Sequence, residues 1–364
     1  MALSCGIVGL PLVGKTTFFN LLTHQHSETS DFFSGKTATN SALADIPDSR
    51  IDFLTSMFKP RKITPAQVEV IDVPGLVRGA SQGQGAGNDF LNAVKDVDAI
   101  IHVVRSFENP NLLHVDGSID IMRDVETVNL ELLFADLNLV ETRLTRIATA
   151  RKKTPEVEQE GVILSKIKAV LEDEKMVQQA DLSADEKLAI SHITFLTDKP
   201  QIMVINLDEK QLESKDYPQR EKLLAYCGQK NIPILEISAK SEVEIDELED
   251  EDKVLFMEEL GIETPGTVLL ARAMYECLNL VSFLTAGEDE VRAWTINKGT
   301  EAKKAGGKIH SDIERGFIRA EVVKFQDLKD LGSMAKVKEK GLFKLEGKEY
   351  IVMDRDIINF RFNV

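Results

Sequence analysis

Residues 9–16 read Gly-Leu-Pro-Leu-Val-Gly-Lys-Thr, two glycines five apart followed at once by a lysine and a hydroxyl side chain. The apolar run 2–8 ahead of them has the length of a buried strand, and Thr17-Phe18-Phe19-Asn20-Leu21-Leu22 behind them continues as a helix with an apolar face. A glycine-rich turn in that setting is a phosphate cradle. Glycine lets the backbone wrap an anion, and the helix N-terminus aims N–H groups and its positive dipole end at it. Gly9, Leu12, Val13, Gly14 and Thr17 line that cradle, Lys15 adds a point charge for catalysis, and Thr16 is placed as a ligand for Mg2+. The chain is thereby committed to an α/β fold, a P-loop nucleotidase with a mostly parallel sheet.

A second strand, 67–73, ends in Asp72-Val73-Pro74-Gly75. Asp72 at its carboxyl end would hold the Mg2+ shell, and the Gly75 N–H would meet a γ-phosphate. The glycine-dense stretch 79–90 that follows suits a loop that rearranges with the nucleotide. The polar stretch 23–40 supplies two threonines, Thr37 and Thr39, for the same metal, and the residues do not choose between them. The run 99–104 is a buried parallel strand in which His102 reads as a core histidine. His114, on the loop after it, is free to move toward a nucleotide.

Two further strands end in Asn206-Leu207-Asp208-Glu209 and in Ser238-Ala239-Lys240, and both ends should meet the base. A guanine site reads Asn-Lys-x-Asp, the aspartate accepting two hydrogen bonds from guanine. Leu207 and Glu209 take the lysine and aspartate places, so guanine preference should be lost and ATP favoured as substrate. Leu76, where signalling nucleotidases carry a water-orienting glutamine, predicts slow turnover.

Between 119 and 191 the pattern turns helical and charged. Leu130, Leu133, Leu137, Val140 and Leu144 recur at helical spacing and end in basic Arg143, Arg146, Arg151, Lys152 and Lys153; Thr154-Pro155 breaks the pattern before a second helix. The expected organisation is a nucleotide-binding unit of 1–118 and 199–280, an inserted antiparallel, coiled-coil-like arm of 119–198, and a small α+β unit of 281–364. The net charge of −16 argues against wholesale coating of nucleic acid, but it is unevenly spread. Residues 282–364 hold 16 basic and 14 acidic side chains, so the deficit lies elsewhere. Three widely spaced cysteines, Cys5, Cys227 and Cys277, read as reduced core thiols, and the absence of a leader or an 18-residue apolar run predicts a cytoplasmic protein with no membrane partner.

With these motifs placed, the chain resembles the Obg-like ATPase (YchF) family over essentially its whole length. The stretches that carry the likeness are Asp72-Val73-Pro74-Gly75-Leu76-Val77-Arg78-Gly79-Ala80-Ser81, Gly85-Ala86-Gly87-Asn88-Asp89-Phe90-Leu91, Arg292-Ala293-Trp294-Thr295-Ile296, Gly316-Phe317-Ile318-Arg319-Ala320-Glu321-Val322 and the ending Phe360-Arg361-Phe362-Asn363-Val364. The resemblance implies a translation-factor-class nucleotidase with a helical arm and a C-terminal TGS domain of β-grasp type. It also implies ATP as substrate, association with the 50S or 70S ribosome, rRNA contact through arm and tail, a part in stress responses, and a monomer. A histidine after the strand His-Val-Val-Arg is the family's proposed catalyst, and His114 fits that place. Leu12 stands where the family commonly has asparagine, which weakens a case for bound K+. The expectation is an ATP-hydrolysing switch on the ribosome; the alternative is a nucleotide-stabilised binding module in which hydrolysis is incidental.

Overall fold

The computed structural model describes residues 3–25, 40–76, 79, 86–152 and 154–363, and of 86–88 and 250 the backbone alone. It divides into two units, one of residues 3–42 and 69–270, the other of 43–68 and 271–364.

The first sheet has six strands: β1 (Ser4–Val8), β2 (Asn40–Ile46), β4 (Ala66–Asp72), β5 (Ala99–Arg105), β6 (Gln201–Asn206) and β7 (Ile234–Ile237). Their order is β2-β4-β1-β5-β6-β7. The pairs β1–β4, β1–β5, β5–β6 and β6–β7 are all parallel. β5 and β6 are buried at every position, which is why their sequences are nearly continuous apolar runs, broken only by His102 inside β5 and by polar residues at strand ends, rather than alternating ones. The helices of this unit are α1 (Lys15–Thr23), α3 (Ala86–Asp96), α4 (Ile121–Thr149), α5 (Pro155–Glu172), α6 (Ala184–Ala189), α7 (Glu209–Ser214), α8 (Arg220–Lys230), α9 (Ala239–Glu247) and α10 (Asp250–Glu259). The chain leaves the unit along α11 (Gly266–Cys277).

The arm grows out of this unit as α4 and α5. Asp120 caps α4 by accepting the Arg123 N–H, and Pro155 sits at the start of α5, where its missing N–H costs nothing. Leu133, Val140, Ile163, Leu164, Ile167 and Leu171 form its core, which the returning segment closes with Ile190, Ile193 and Phe195. Arg143 reaches Glu160 at 2.9 Å, so this member of the basic group is spent within the arm.

The second unit is built on a sheet of order β11-β10-β12-β8-β9-β3. Its strands are β3 (Lys62–Thr64), β8 (Leu280–Ala286), β9 (Glu290–Asn297), β10 (Phe317–Lys324), β11 (Lys344–Glu346) and β12 (Asp356–Phe362). Its helices are α2 (Ser49–Phe58), α12 (Ala302–Ile309), α13 (Ser311–Arg315), α14 (Phe325–Leu331) and α15 (Met334–Glu339). Phe283, Ile296, Ala305, Val322, Ile358 and Phe360 make its core.

One boundary differs from expectation. Residues 43–68, expected within 1–118, belong to the second unit. The cause is pairing: β3 lies parallel to β9, Lys62 opposite Glu290 and Thr64 opposite Arg292, and Phe53 of α2 meets the Phe325 ring edge-on at 5.5 Å. Nothing local in the sequence announces so distant a partner. Cys5 and Cys227 are buried, as expected of core thiols, whereas Cys277 is part-exposed; burial pushes Cys227 and Cys277 up to about 11, which disfavours the thiolate.

Candidate functional site

The loop between β1 and α1 turns on three left-handed residues, Leu12 (φ 63°), Gly14 (φ 102°) and Gly9 (φ 150°). A Cβ on Gly14 would collide with Asn206 Nδ2, and one on Gly9 with the Val103 carbonyl oxygen, so only glycine serves at either place. Gly75 is less tightly enclosed: a Cβ there would stand 3.1 Å from Pro11, which would have to give way slightly. The Leu76 N–H donates to the Gly9 carbonyl at 3.1 Å, tying the end of β4 to the loop.

Lys15 is buried and donates to the Leu10 carbonyl at 2.8 Å. Burial lowers its ammonium to about 8, and the Asp72 carboxylate offsets part of that. Thr16 Oγ1 donates to Asp72 Oδ2 at 2.9 Å, while Asp72 Oδ1 is buried with no hydrogen-bond partner. Burial holds the Asp72 carboxyl above its ordinary range in spite of Thr16 and Lys15. A hydroxyl and a half-satisfied carboxylate, both oxygen donors, converge beside the phosphate loop; that is the donor set of a hard divalent cation, and Mg2+ fits it. Thr17 lies on the first turn of α1. Thr37 and Thr39 lie outside the described residues.

At the end of β6, Asn206 is buried, and its side chain donates to the Val13 carbonyl at 2.9 Å and accepts the Ala239 N–H at 3.0 Å. One amide thus locks the phosphate loop to the Ser238-Ala239-Lys240 turn, where Ser238 caps α9 by accepting the Ser241 N–H. Glu209 pairs with Lys240 at 2.7 Å on the surface. Leu207, expected at the base, is only 2 % exposed and packs with Ile205, Tyr217 and Leu223, so its side chain belongs to the core.

His102 is buried in β5 as expected, and burial lowers it to about 4, with Lys15 adding to the effect. His114 is not poised at the phosphate loop in this structure. It is 9 % exposed; its Nδ1 accepts the Asp116 N–H at 3.1 Å, and its Nε2 stands 2.9 Å from Asp124 Oδ2. Among the described residues His114, Asp116 and Asp124 are also the one group that brings a histidine and carboxylates within metal-ligand range. The Arg123 guanidinium holds Asp124 Oδ1 at 2.9 Å, whereas Asp124 Oδ2 and His114 Nε2 face each other buried and outside hydrogen-bond geometry.

Sequence reasoning passed over the carboxylates of α4. Glu131 accepts the Gly79 N–H at 2.6 Å, and Asp136 accepts the Leu196 and Thr197 N–H groups, each at 2.8 Å, and the Thr197 hydroxyl at 2.7 Å. The available signal was acidic residues interleaved with Val125, Val128 and Leu132 on the apolar face.

Against known proteins, a model described as 50S ribosome-binding GTPase matches residues 4–135, and the YchF-GTPase C-terminal model, described as a protein of unknown function, matches residues 280–363. The ribosome-binding ATPase YchF of Bacillus subtilis is 44 % identical to the chain over 366 residues, all of both proteins. The chain belongs to the YchF family. The YchF of Escherichia coli O157:H7, under the same name, is 42 % identical over 365 residues and again matches end to end. The solved structure of the Schizosaccharomyces pombe YchF GTPase is 33 % identical, with a TM-score of 0.85, over 99 % of this chain and 98 % of that one. The YchF fold therefore holds across the whole chain, from the phosphate loop to the C-terminal unit.

Proposed function

We propose that the protein is an ATP-dependent switch that works on the ribosome in the cytoplasm. It binds ATP with Mg2+ in preference to GTP, hydrolyses it slowly to ADP and phosphate, and presents its arm and C-terminal unit according to the nucleotide held. The observation that carries this reading is the joining, through Asn206, of a complete phosphate corner at Lys15, Thr16 and Asp72 to a base corner where Glu209 replaces the guanine-reading aspartate.

Lys15, protonated, holds the β- and γ-phosphates; Thr16 and Asp72 would hold Mg2+, which supplies charge neutralisation across the phosphates. Glu209 is a methylene longer than aspartate and is engaged by Lys240, so guanine's two donors lose their acceptor while Asn206 remains for a purine N7. Leu76 is buried with its N–H on Gly9, which leaves water to be oriented by another group; His114 is assigned that role and must first leave Asp124. The relatives' printed names support the ribosome as partner. Arg146, Arg151 and Lys152 at the arm tip, and residues 281–364 as a TGS domain of β-grasp type, are assigned to rRNA, and the protein acts as a monomer.

The second reading, a binding module with incidental hydrolysis, draws on the same buried Leu76. Calorimetric titration with non-hydrolysable ATP and GTP analogues in Mg2+ tests base choice: ATP should bind at least about tenfold more tightly. Equal or tighter GTP binding would overturn the assignment of Glu209.

A further inference from the structure

The loop 106–120 brings His114 and Asp116 against Asp124, in the first turn of α4. One ligand atom from each lies within 4.8 Å of the other two. His114 Nε2 and Asp124 Oδ2 are 2.9 Å apart and buried, yet among the described residues neither finds a hydrogen-bond partner. Polar atoms left so are costly, and the arrangement makes sense when a third body binds both.

What an imidazole nitrogen and a carboxylate oxygen can both hold through lone pairs is a dication. Ligand atoms on tetrahedral Zn2+ stand about 3.3 Å apart at bonds of about 2.0 Å, so this pair need part by only a few tenths of an ångström. Arg123 holds the other Asp124 oxygen, Oδ1, at 2.9 Å and so turns Oδ2 toward the imidazole. The same guanidinium stands 3.7 Å from Asp116 Oδ2. Two carboxylates and one guanidinium leave a single net negative charge, which suits an exchangeable ion rather than a permanent one. The donor set chooses the metal. Mg2+ keeps to oxygen and water, whereas imidazole with carboxylates suits Zn2+. Thr16 and Asp72 at the phosphate corner offer oxygen alone, so the two places select different ions.

We propose that His114, Asp116 and Asp124 form a second metal site, which takes Zn2+ reversibly with water in the remaining position, and that zinc there restrains the His114 loop on α4. Zinc takes Nε2, so the ring proton moves to Nδ1. The Asp116 N–H, which donates to Nδ1 at 3.1 Å, then swings off as the Asp116 carboxylate closes on the ion. Residues 106–120 form neither helix nor strand that would resist this. The inference goes beyond the proposed function: zinc holds back the imidazole assigned there to orient water, and so slows turnover.

Calorimetric titration of Zn2+ into the chelator-washed, full-length protein, without nucleotide and with Mg2+ in excess, tests the site. One Zn2+ should bind with a Kd of about 1–10 μM. Asp124→Asn and Asp116→Asn should each weaken it by about tenfold or more. His192→Ala, which removes the surface imidazole beside Glu160, and Cys277→Ser should leave it unaltered. Co2+ in place of Zn2+ should show the visible bands of nitrogen and oxygen ligation with no thiolate charge-transfer band. Hydrogen exchange across 106–120 should slow severalfold with zinc, the Asp116 amide excepted. No saturable binding below about 100 μM, displacement by Mg2+, or binding undiminished in both aspartate variants would overturn the proposal. Should Asp124→Asn loosen the fold, Asp116→Asn, on the loop, decides alone. Turnover in excess Mg2+ and ATP should fall severalfold at saturating Zn2+ in the wild type but not in Asp116→Asn; a rate unmoved by bound zinc overturns the brake. Absence of any ATP turnover would instead remove the proposed function, since zinc binding is read without nucleotide.

Discussion

Lys15 shows how a phosphate site is charged before its ligand arrives. Burial brings its ammonium to about 8, so the unliganded protein begins to lose that charge above neutrality, and a bound triphosphate restores it. Binding above pH 8 must then take up a proton, and affinity must fall as pH rises. Titration of the ATP analogue at pH 7 and pH 9 should show a loss of roughly tenfold, with proton uptake at the higher pH detectable from buffer-dependent heats. A flat profile would mean that Lys15 stays charged in the free protein. Leu12 is the other telling residue: it adopts φ 63°, a left-handed conformation unfavourable for a branched apolar side chain. Leu12→Asn should raise stability to chemical denaturation by about 1 kcal/mol, because asparagine tolerates that region. A destabilised variant would show that the partly buried Leu12 side chain matters more than its backbone.

At the scale of elements, the sequence was most legible where periodicity and motif agree. The buried runs that became β1, β5 and β6, the phosphate loop, and the two arm helices all follow from local pattern, and His102 was correctly read as core. What local pattern could not carry was pairing over distance. β3 belongs to β9 more than two hundred residues on, and Asp124, Glu131 and Asp136 look like surface charge until the segments they cap are in place. His114, read either as a loop histidine that reaches the nucleotide or as one packed on the arm, lies against α4, its Nε2 2.9 Å from Asp124 Oδ2. Asp136 shows what such a buried carboxylate does. It satisfies three donors, so Asp136→Ala leaves buried N–H and O–H groups unpaired and should cost about 3 kcal/mol, with exchange rising first at residues 195–199. A loss well under 1 kcal/mol would mean that water or a shifted chain takes over those donors.

For the whole molecule, the phosphate loop and the Ser238-Ala239-Lys240 turn after β7 are bound into one corner by the Asn206 amide, and Glu131 of α4 accepts the Gly79 N–H. A site whose Asp-x-x-Gly neighbour is a buried leucine is better suited to holding a state than to fast turnover. On the proposed reading, the nucleotide sets the engagement of the ribosome. Co-sedimentation of the protein with 70S ribosomes in the presence of a non-hydrolysable ATP analogue, ADP or the matching GTP analogue tests it most directly. Retention should differ severalfold between the ATP-analogue and ADP states, and the GTP analogue at the same concentration should fail to reproduce the ATP state. Retention indifferent to the nucleotide would contradict the switch and leave a passive ribosome-binding module.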